Sequence, residues 1–216
     1  MKSYAVLRPE PGNGATAARL RALGHRVVQL PLFEVAPLDW SPPDPADFDA
    51  LLLTSANAVR HAGPGLAELE ALPVLAVGAA TAAAARAAGL TVAITGTADA
   101  AALIGAAQGH ARLLHLSGQE TTVSGDERVA QAIPVYASNP RTVTATELQT
   151  LAGTTALLHS ARAAQLLGDL VDAAGIDRAT IALAALSPAV AAAAGDGWAR
   201  IAIAAAPTDS ALIAAD

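Results

Sequence analysis

Residues 51–59, LLLTSANAV, are matched by residues 156–164, ALLHSARAA, with Ser55 aligned on Ser160. Each segment passes from a short run of large apolar residues, through a serine, into an alanine-rich stretch of helical composition, which is the pattern of a βα unit. The match continues along the chain. Leu75-Ala76-Val77-Gly78 parallels Ala184-Ala185-Leu186-Ser187, Val92-Ala93-Ile94 parallels Ile201-Ala202-Ile203, and Ala102-Leu103-Ile104 parallels Ala211-Leu212-Ile213. Three successive βα units therefore occur twice. A two-strand piece recurs as well, HRVVQLPLF ending at Phe33 and ERVAQAIPVY ending at Tyr136.

Outward from this repeat, the alternation of Val/Ile/Leu runs with alanine-rich stretches predicts an α/β fold with mostly parallel sheets. Strands are expected at Tyr4–Leu7, Val27–Leu32, Ala50–Thr54, Val74–Val77, Thr91–Ile94, Arg112–Leu116, Val129–Tyr136, Ala156–His159, Ile181–Leu186 and Arg200–Ile203. Helices are expected at Ala15–Leu23, Asn57–His61, Thr81–Ala88, Ala100–Ala107, Arg162–Ala174, Val190–Ala194 and Asp209–Ala215. The pieces run two-strand, three-strand, two-strand, three-strand, so either way of pairing them makes two five-stranded domains. Pairing the first with the last inserts a continuous domain into a split one, crossing at Phe33–Pro45, with Pro37, Pro42, Pro43 and Pro45, and at Ala137–Thr144, with Pro140. Periodicity alone does not choose between the pairings.

The 216 residues are 53% hydrophobic and 3% aromatic, with 13 basic against 19 acidic groups and a net charge of −6. Without cysteine, disulfides, thiolate metal sites and a cysteine nucleophile are excluded. The basic residues are scattered singly and Lys2 is the only lysine, so no stripe can neutralise successive phosphates, and nucleic-acid binding is not expected. The opening MKSYAVLRPEPGNG has too short an apolar run for a signal h-region or a membrane span, which makes a cytoplasmic protein the expectation.

Ligands of open parallel sheets sit beyond the carboxyl ends of the strands. Those positions read Thr54-Ser55-Ala56-Asn57, Gly78-Ala79-Ala80-Thr81, Ser117-Gly118-Gln119, Ser160-Ala161-Arg162, Ser187-Pro188-Ala189 and Pro207-Thr208-Asp209. Small residues there admit a ligand close to the backbone, although Ser, Thr and Asp are also ordinary helix caps. Arg8, ending the first strand before Pro9, brings a guanidinium to the same edge, and Tyr136, entering the second linker, is a candidate proton donor. No G-x-G-x-x-G follows the first strand, and neither a P-loop nor a G-x-S-x-G elbow is present. His25, His61, His110, His115 and His159 lack metal-ligand spacing, and Asp44, Asp47 and Asp49 read as a solvated linker rather than a metal site.

The ordered fragments VLRPEPGNGATAARLRALGH, VVQLPLFEV, LLLTSANAV, VGAATAAAA, LLHLSG, IPVY, LLHSARAA and APTDSALI together resemble the uroporphyrinogen-III synthase family over nearly the whole chain. That resemblance implies two flavodoxin-like parallel-sheet domains joined by a two-stranded linker, the second inserted into the first: 1–33 with 141–216, an inserted 38–134, and linkers 34–37 and 135–140. It implies a site in the cleft between them, where hydroxymethylbilane is cyclised to uroporphyrinogen III with inversion of ring D and loss of water. Proximity and conformational control can supply several kcal/mol of such a ring closure, and a donor to the departing hydroxyl more.

Carried over by position, the resemblance implies Tyr136 as the group assisting hydroxyl departure. It matches Ser55 and Ser160 to serines that open helices in the two domains and Thr81 to a threonine after a glycine turn; with the strand-end positions Arg8, Asn57, Gly78, Gly118, Arg162 and Ser187, these are expected to bind a linear tetrapyrrole polycarboxylate. A monomer acting without metal or organic cofactor, nucleic acid or membrane is expected. Two departures stand out: Ala189 and Val190 replace the family's threonine pair, and Gln119–Gln131 is short for the usual helix, which weakens Gln119 and Arg128 as ligands. The competing reading is a non-catalytic two-domain protein that clamps a small anion.

Overall fold

Alternate residues of a strand serve opposite faces of its sheet, so a strand that is apolar throughout requires cover on both sides. A computed structural model describes residues 1–97, 99–120 and 126–215 and shows how that cover is provided. Among the described residues the strands are β1 (Ser3–Val6), β2 (Arg26–Gln29), β3 (Phe33–Pro37), β4 (Ala50–Leu53), β5 (Val74–Val77), β6 (Val92–Gly96), β7 (Leu113–Gly118), β8 (Val129–Pro140), β9 (Thr155–Leu158), β10 (Ala182–Ala185) and β11 (Arg200–Ile203). The α-helices are α1 (Gly12–Ala22), α2 (Ala56–His61), α3 (Ala79–Ala87), α4 (Ala100–Ala106), α5 (Ala145–Gln149), α6 (Ala161–Ala173), α7 (Pro188–Ala194) and α8 (Asp209–Ala214). None of the described helices is long and apolar enough to cross a membrane.

The chain divides into two units, Met1–Glu34 with Asn139–Asp216, and Val35–Ser138. In the first, the sheet order is β2-β1-β9-β10-β11, with parallel neighbours in registers such as Ala5↔Ala156 and Leu183↔Ile201. Ala5, Ala156, Leu158, Leu183 and Ala185 pack under α6 and α7, while Tyr4, Val6, Leu157 and Ala184 pack under α1 and α8. Small residues in α6, such as Ala163, Ala164 and Gly168, suit close helix packing.

In the second unit the order is β3-β8-β7-β4-β5-β6, and β8 through β6 run parallel. Leu51, Leu53, Leu114 and Leu116 face α2 and α3; Ala50, Leu52, Leu75 and Leu113 meet Leu103 and Ile104 of α4. The recurring pieces take the same places in both sheets. The two-strand piece supplies β2-β1 in one and β8-β7 in the other, each beside a three-strand piece, β9-β10-β11 or β4-β5-β6. The chain visits them in opposite order, so each unit is a cyclic permutation of the other.

Three local features differ from expectation. Phe33–Pro45 reads as linker, yet its first residues form β3 beside β8, which runs on to Pro140; Leu38 N donates to Val135 O at 3.0 Å. Proline removes a donor but is tolerated on an edge strand, where the missing N–H is not needed by a neighbour. The short α5 is also unexpected. It is held by a capping box in which the Thr144 side chain accepts from Glu147 N and the Glu147 carboxylate accepts from Thr144 N. A 3-10 turn spans Gly63–Leu69. The expected collapse of Gln119–Gln131 falls partly on residues 121–125, which lie outside the described residues.

Candidate active site

In the first unit, β1 leads into a turn fixed by Asn13, a side chain the sequence reading did not single out. It is fully buried; Nδ2 donates to Val6 O at 2.8 Å and Arg8 O at 2.9 Å, and Oδ1 accepts from Gln29 Nε2 at 2.9 Å. The Arg8 side chain folds back over Gly12, where an added Cβ would lie 2.3 Å from Nε. Arg8 is half-buried, and burial first, then the Arg19 charge, lower its pKa. Among the described residues its guanidinium makes no hydrogen bond; its nearest counter-charge is Asp209 Oδ1, 3.9 Å from Arg8 NH1.

Asp209 gathers this edge. Its carboxylate accepts from Thr16 Oγ1 at 3.0 and 3.1 Å, from Arg19, and from His159 Nε2 at 2.9 Å. His159 follows β9 directly, and burial, with the Arg8 charge next, brings its pKa down to about 4. The imidazole is therefore neutral at pH 7 and donates through Nε2, because the carboxylate can only accept. Ser160 and Ser187 cap α6 and α7, their hydroxyl oxygens accepting from Ala163 N and Val190 N. Arg162 lies over the Phe33 ring, 4.8 Å from its centroid. Of the replaced threonine pair, Ala189 is exposed and Val190 is buried, both in the first turn of α7.

In the second unit, Ser55 caps α2 by accepting from Asn57 N, and the Asn57 oxygen accepts from Arg60 NH1 at 3.1 Å. Gly78 caps α3 at φ +83°, a conformation L side chains avoid, and Thr81 in the following turn is buried. Gly118 ends β7 in register with Tyr136, and Gln119 N donates to Tyr136 O at 2.8 Å. The phenol crosses directly over this glycine: a Cβ at 118 would lie 2.8 Å from Cζ and 2.9 Å from the hydroxyl oxygen. His61 flanks the ring at 6.2 Å between centroids, and burial, followed by the Arg60 charge, lowers the His61 pKa. Among the described residues the Tyr136 hydroxyl has no hydrogen-bond partner.

Thus Arg8, Ser160, Arg162 and Ser187 belong to the first unit, and Ser55, Asn57, Gly78, Thr81, Gly118 and Tyr136 to the second. Gly118 and Tyr136 are in direct contact. Arg128 is committed to Asp126 and to Ile104 O, 2.6 Å from NH1. Asp44 caps a 3-10 turn, and Asp49 accepts from the backbone N–H groups of Ala111 and Arg112. No three His, Cys, Asp or Glu side chains among the described residues are grouped to hold a metal ion. Asp209 stands in the sequence as one of the strand-end positions open to a ligand, but the cluster it gathers with Thr16, Arg19 and His159 carries no local signal.

Gly118→Ala is expected to push the phenol off its seat and destabilise the chain by about 1–3 kcal/mol, since the added Cβ would stand 2.8 Å from Cζ. Thermal melts would detect the loss, and Tyr136→Ala, which removes the ring, should relieve it.

Parallel sheets covered on both faces, with polar and glycine residues at the carboxyl ends of their strands, place the chain among the open-sheet α/β proteins, whose ligands sit beyond those strand ends. The model of the family described as HEM4, uroporphyrinogen-III synthase HemD, matches residues 14–214, and the chain belongs to that family. It is a lyase of porphyrin biosynthesis, converting hydroxymethylbilane to uroporphyrinogen III. The fold is similar to that of uroporphyrinogen-III synthetase from Helicobacter pylori, at 16% identity and TM-score 0.66, covering 99% of this chain and 97% of that one. It is similar also to a mutant uroporphyrinogen III synthase from the extremely thermophilic bacterium Thermus thermophilus, at 17% identity and TM-score 0.53, covering 99% and 97%. Comparison with curated protein sequences returns no match.

Proposed function

We propose that the ring closure is assisted by Tyr136, whose O–H donates a proton to the departing hydroxyl of hydroxymethylbilane, and that strand-end groups of both units bind the substrate's carboxylates. The observation that carries this reading is the phenol laid across Gly118 at the carboxyl end of β7, with a hydroxyl that no described side chain engages. Protonation lets the hydroxyl leave as water, with the pyrrole electrons forming an azafulvenium cation. The terminal ring then closes through a spiro intermediate, and the proton lost when the macrocycle regains its pyrroles restores the phenol. Electron-rich pyrroles supply the driving force, so the protein contributes orientation and one acid.

Carboxylate recognition falls to Arg8, a half-buried guanidinium that makes no hydrogen bond among the described residues, and to Arg162. Ser55, Ser160 and Ser187 each accept one backbone hydrogen bond as caps and keep a hydroxyl proton to give; Asn57, Gly78, Thr81 and Gly118 complete the binding set. In this reading the chain forms two flavodoxin-like domains, 1–33 with 141–216 and an inserted 38–134, and acts as a cytoplasmic monomer. The recurrence of one strand arrangement in both units supports the domain reading.

The test is direct. Purified protein mixed with freshly prepared hydroxymethylbilane should yield the type III isomer, resolved chromatographically after oxidation. Only type I, the product of unassisted closure, would reject the assignment.

A further inference from the structure

Three constraints meet on Arg8. Asn13 holds its backbone carbonyl at 2.9 Å, the absent side chain of Gly12 leaves room for the guanidinium, and the Asp209 carboxylate stands 3.9 Å from NH1. The third differs in kind. Asp209 accepts hydrogen bonds from Thr16 and Arg19 on α1 and from His159 after β9, so its position is set by two other elements and not by Arg8. At 3.9 Å it attracts the Arg8 guanidinium without taking its N–H donors. Arg19, by contrast, is hydrogen-bonded to the same carboxylate.

The groups around the cluster explain why Asp209 is needed. Arg8 and Arg19 are like charges converging on one edge, His159 is neutral at pH 7, and Asp209 is the carboxylate that lies within ion-pair distance of all three. Without it the two arginines repel, and Arg8 keeps only its backbone anchor. A flexible arginine must then be ordered by the substrate itself, which weakens binding but leaves the chemical step unchanged.

We propose that Asp209 is a positioning residue for substrate binding, holding the Arg8 guanidinium at the strand edge with its donors left for a substrate carboxylate. This rests on the reading of Arg8 as a substrate ligand. The residue acts through Arg8 and touches no reacting atom.

The experiment is a double-mutant cycle with hydroxymethylbilane as substrate, using Arg8→Ala, Asp209→Asn and the double variant, with thermal melts on each. Asp209→Asn should raise KM about 5-fold, within the range for ordering one long side chain, and leave kcat within about 2-fold. In the Arg8→Ala background it should add no further rise in KM. Asp209→Glu, which keeps the charge, should recover most of the loss and supplies the comparison if the asparagine variant is poorly folded. An equal rise in KM with or without Arg8, a fall in kcat with KM unchanged, or a glutamate variant that binds as poorly as the asparagine one while folding normally would each overturn the proposal. If Arg8→Ala itself leaves KM unchanged, the ligand reading of Arg8 fails and the proposal with it; a cycle that fails while Arg8→Ala raises KM overturns the Asp209 role alone.

Discussion

Tyr136→Phe is expected to lower kcat about 100-fold, at the low end of what a positioned general acid contributes. The substitution deletes one oxygen and keeps the ring, so the contact with Gly118, the neighbouring His61 ring and packing against the second unit's core all remain. Because the hydroxyl has no partner among the described residues, its removal strands no buried polar group, and the melting temperature should hardly move. KM should also hold, since the proton is given only as the hydroxyl departs. Isomer composition is a second readout. If the variant still forms product slowly and that product is type III, folding of the substrate and proton donation are separate contributions; unchanged kcat would remove Tyr136 as donor.

The second large effect is on stability against pH. His115 is fully buried in β7, Nε2 shares a hydrogen bond of 3.1 Å with Thr54 Oγ1, and Nδ1 is buried without a partner among the described residues. An imidazolium carries a proton on both nitrogens and would place an unsatisfied N–H there; burial accordingly lowers the His115 pKa to about 4. In the unfolded chain the ring titrates near 6.5, so between these values the unfolded state binds the extra proton. The resulting stabilisation is fully present above pH 6.5 and is lost as pH falls towards 4, amounting to roughly 3 kcal/mol at about 1.4 kcal/mol per pH unit. Urea midpoints measured at about pH 7 and about pH 4.5 should fall steeply for the natural chain and less for His115→Gln, whose amide nitrogen can occupy the place of Nε2. Parallel slopes in the two proteins would show that His115 does not carry this dependence.

Much of the molecule was legible locally. The apolar runs at 50–53, 74–77 and 156–158 became strands because sequences apolar at every position suit sheets buried on both faces. Ser55, Ser160 and Ser187 were recognisable at helix starts because capping is a matter of a few neighbouring residues. Phe33–Pro37 was not: its proline and short length argue against a strand until an edge partner, β8, is available. The Thr144–Glu147 capping box was present in the residues, but the helix it opens spans only Ala145–Gln149 and carries little periodic signal.

The repeated βα units, the absence of thiol chemistry and the likeness to a family are written along the chain, as periodicity, composition and the order of fragments. Which pieces share a sheet emerged only on folding, since parallel strands such as β1 and β9 choose partners through hydrogen bonds between distant segments. Folding likewise made Asp209 more than a helix residue, bringing it to Thr16, 193 positions away, and to His159, 50 positions away. One cause underlies both cases: local patterning decides what an element is, whereas its partners are set by burial and charge between residues that meet only when the chain has folded.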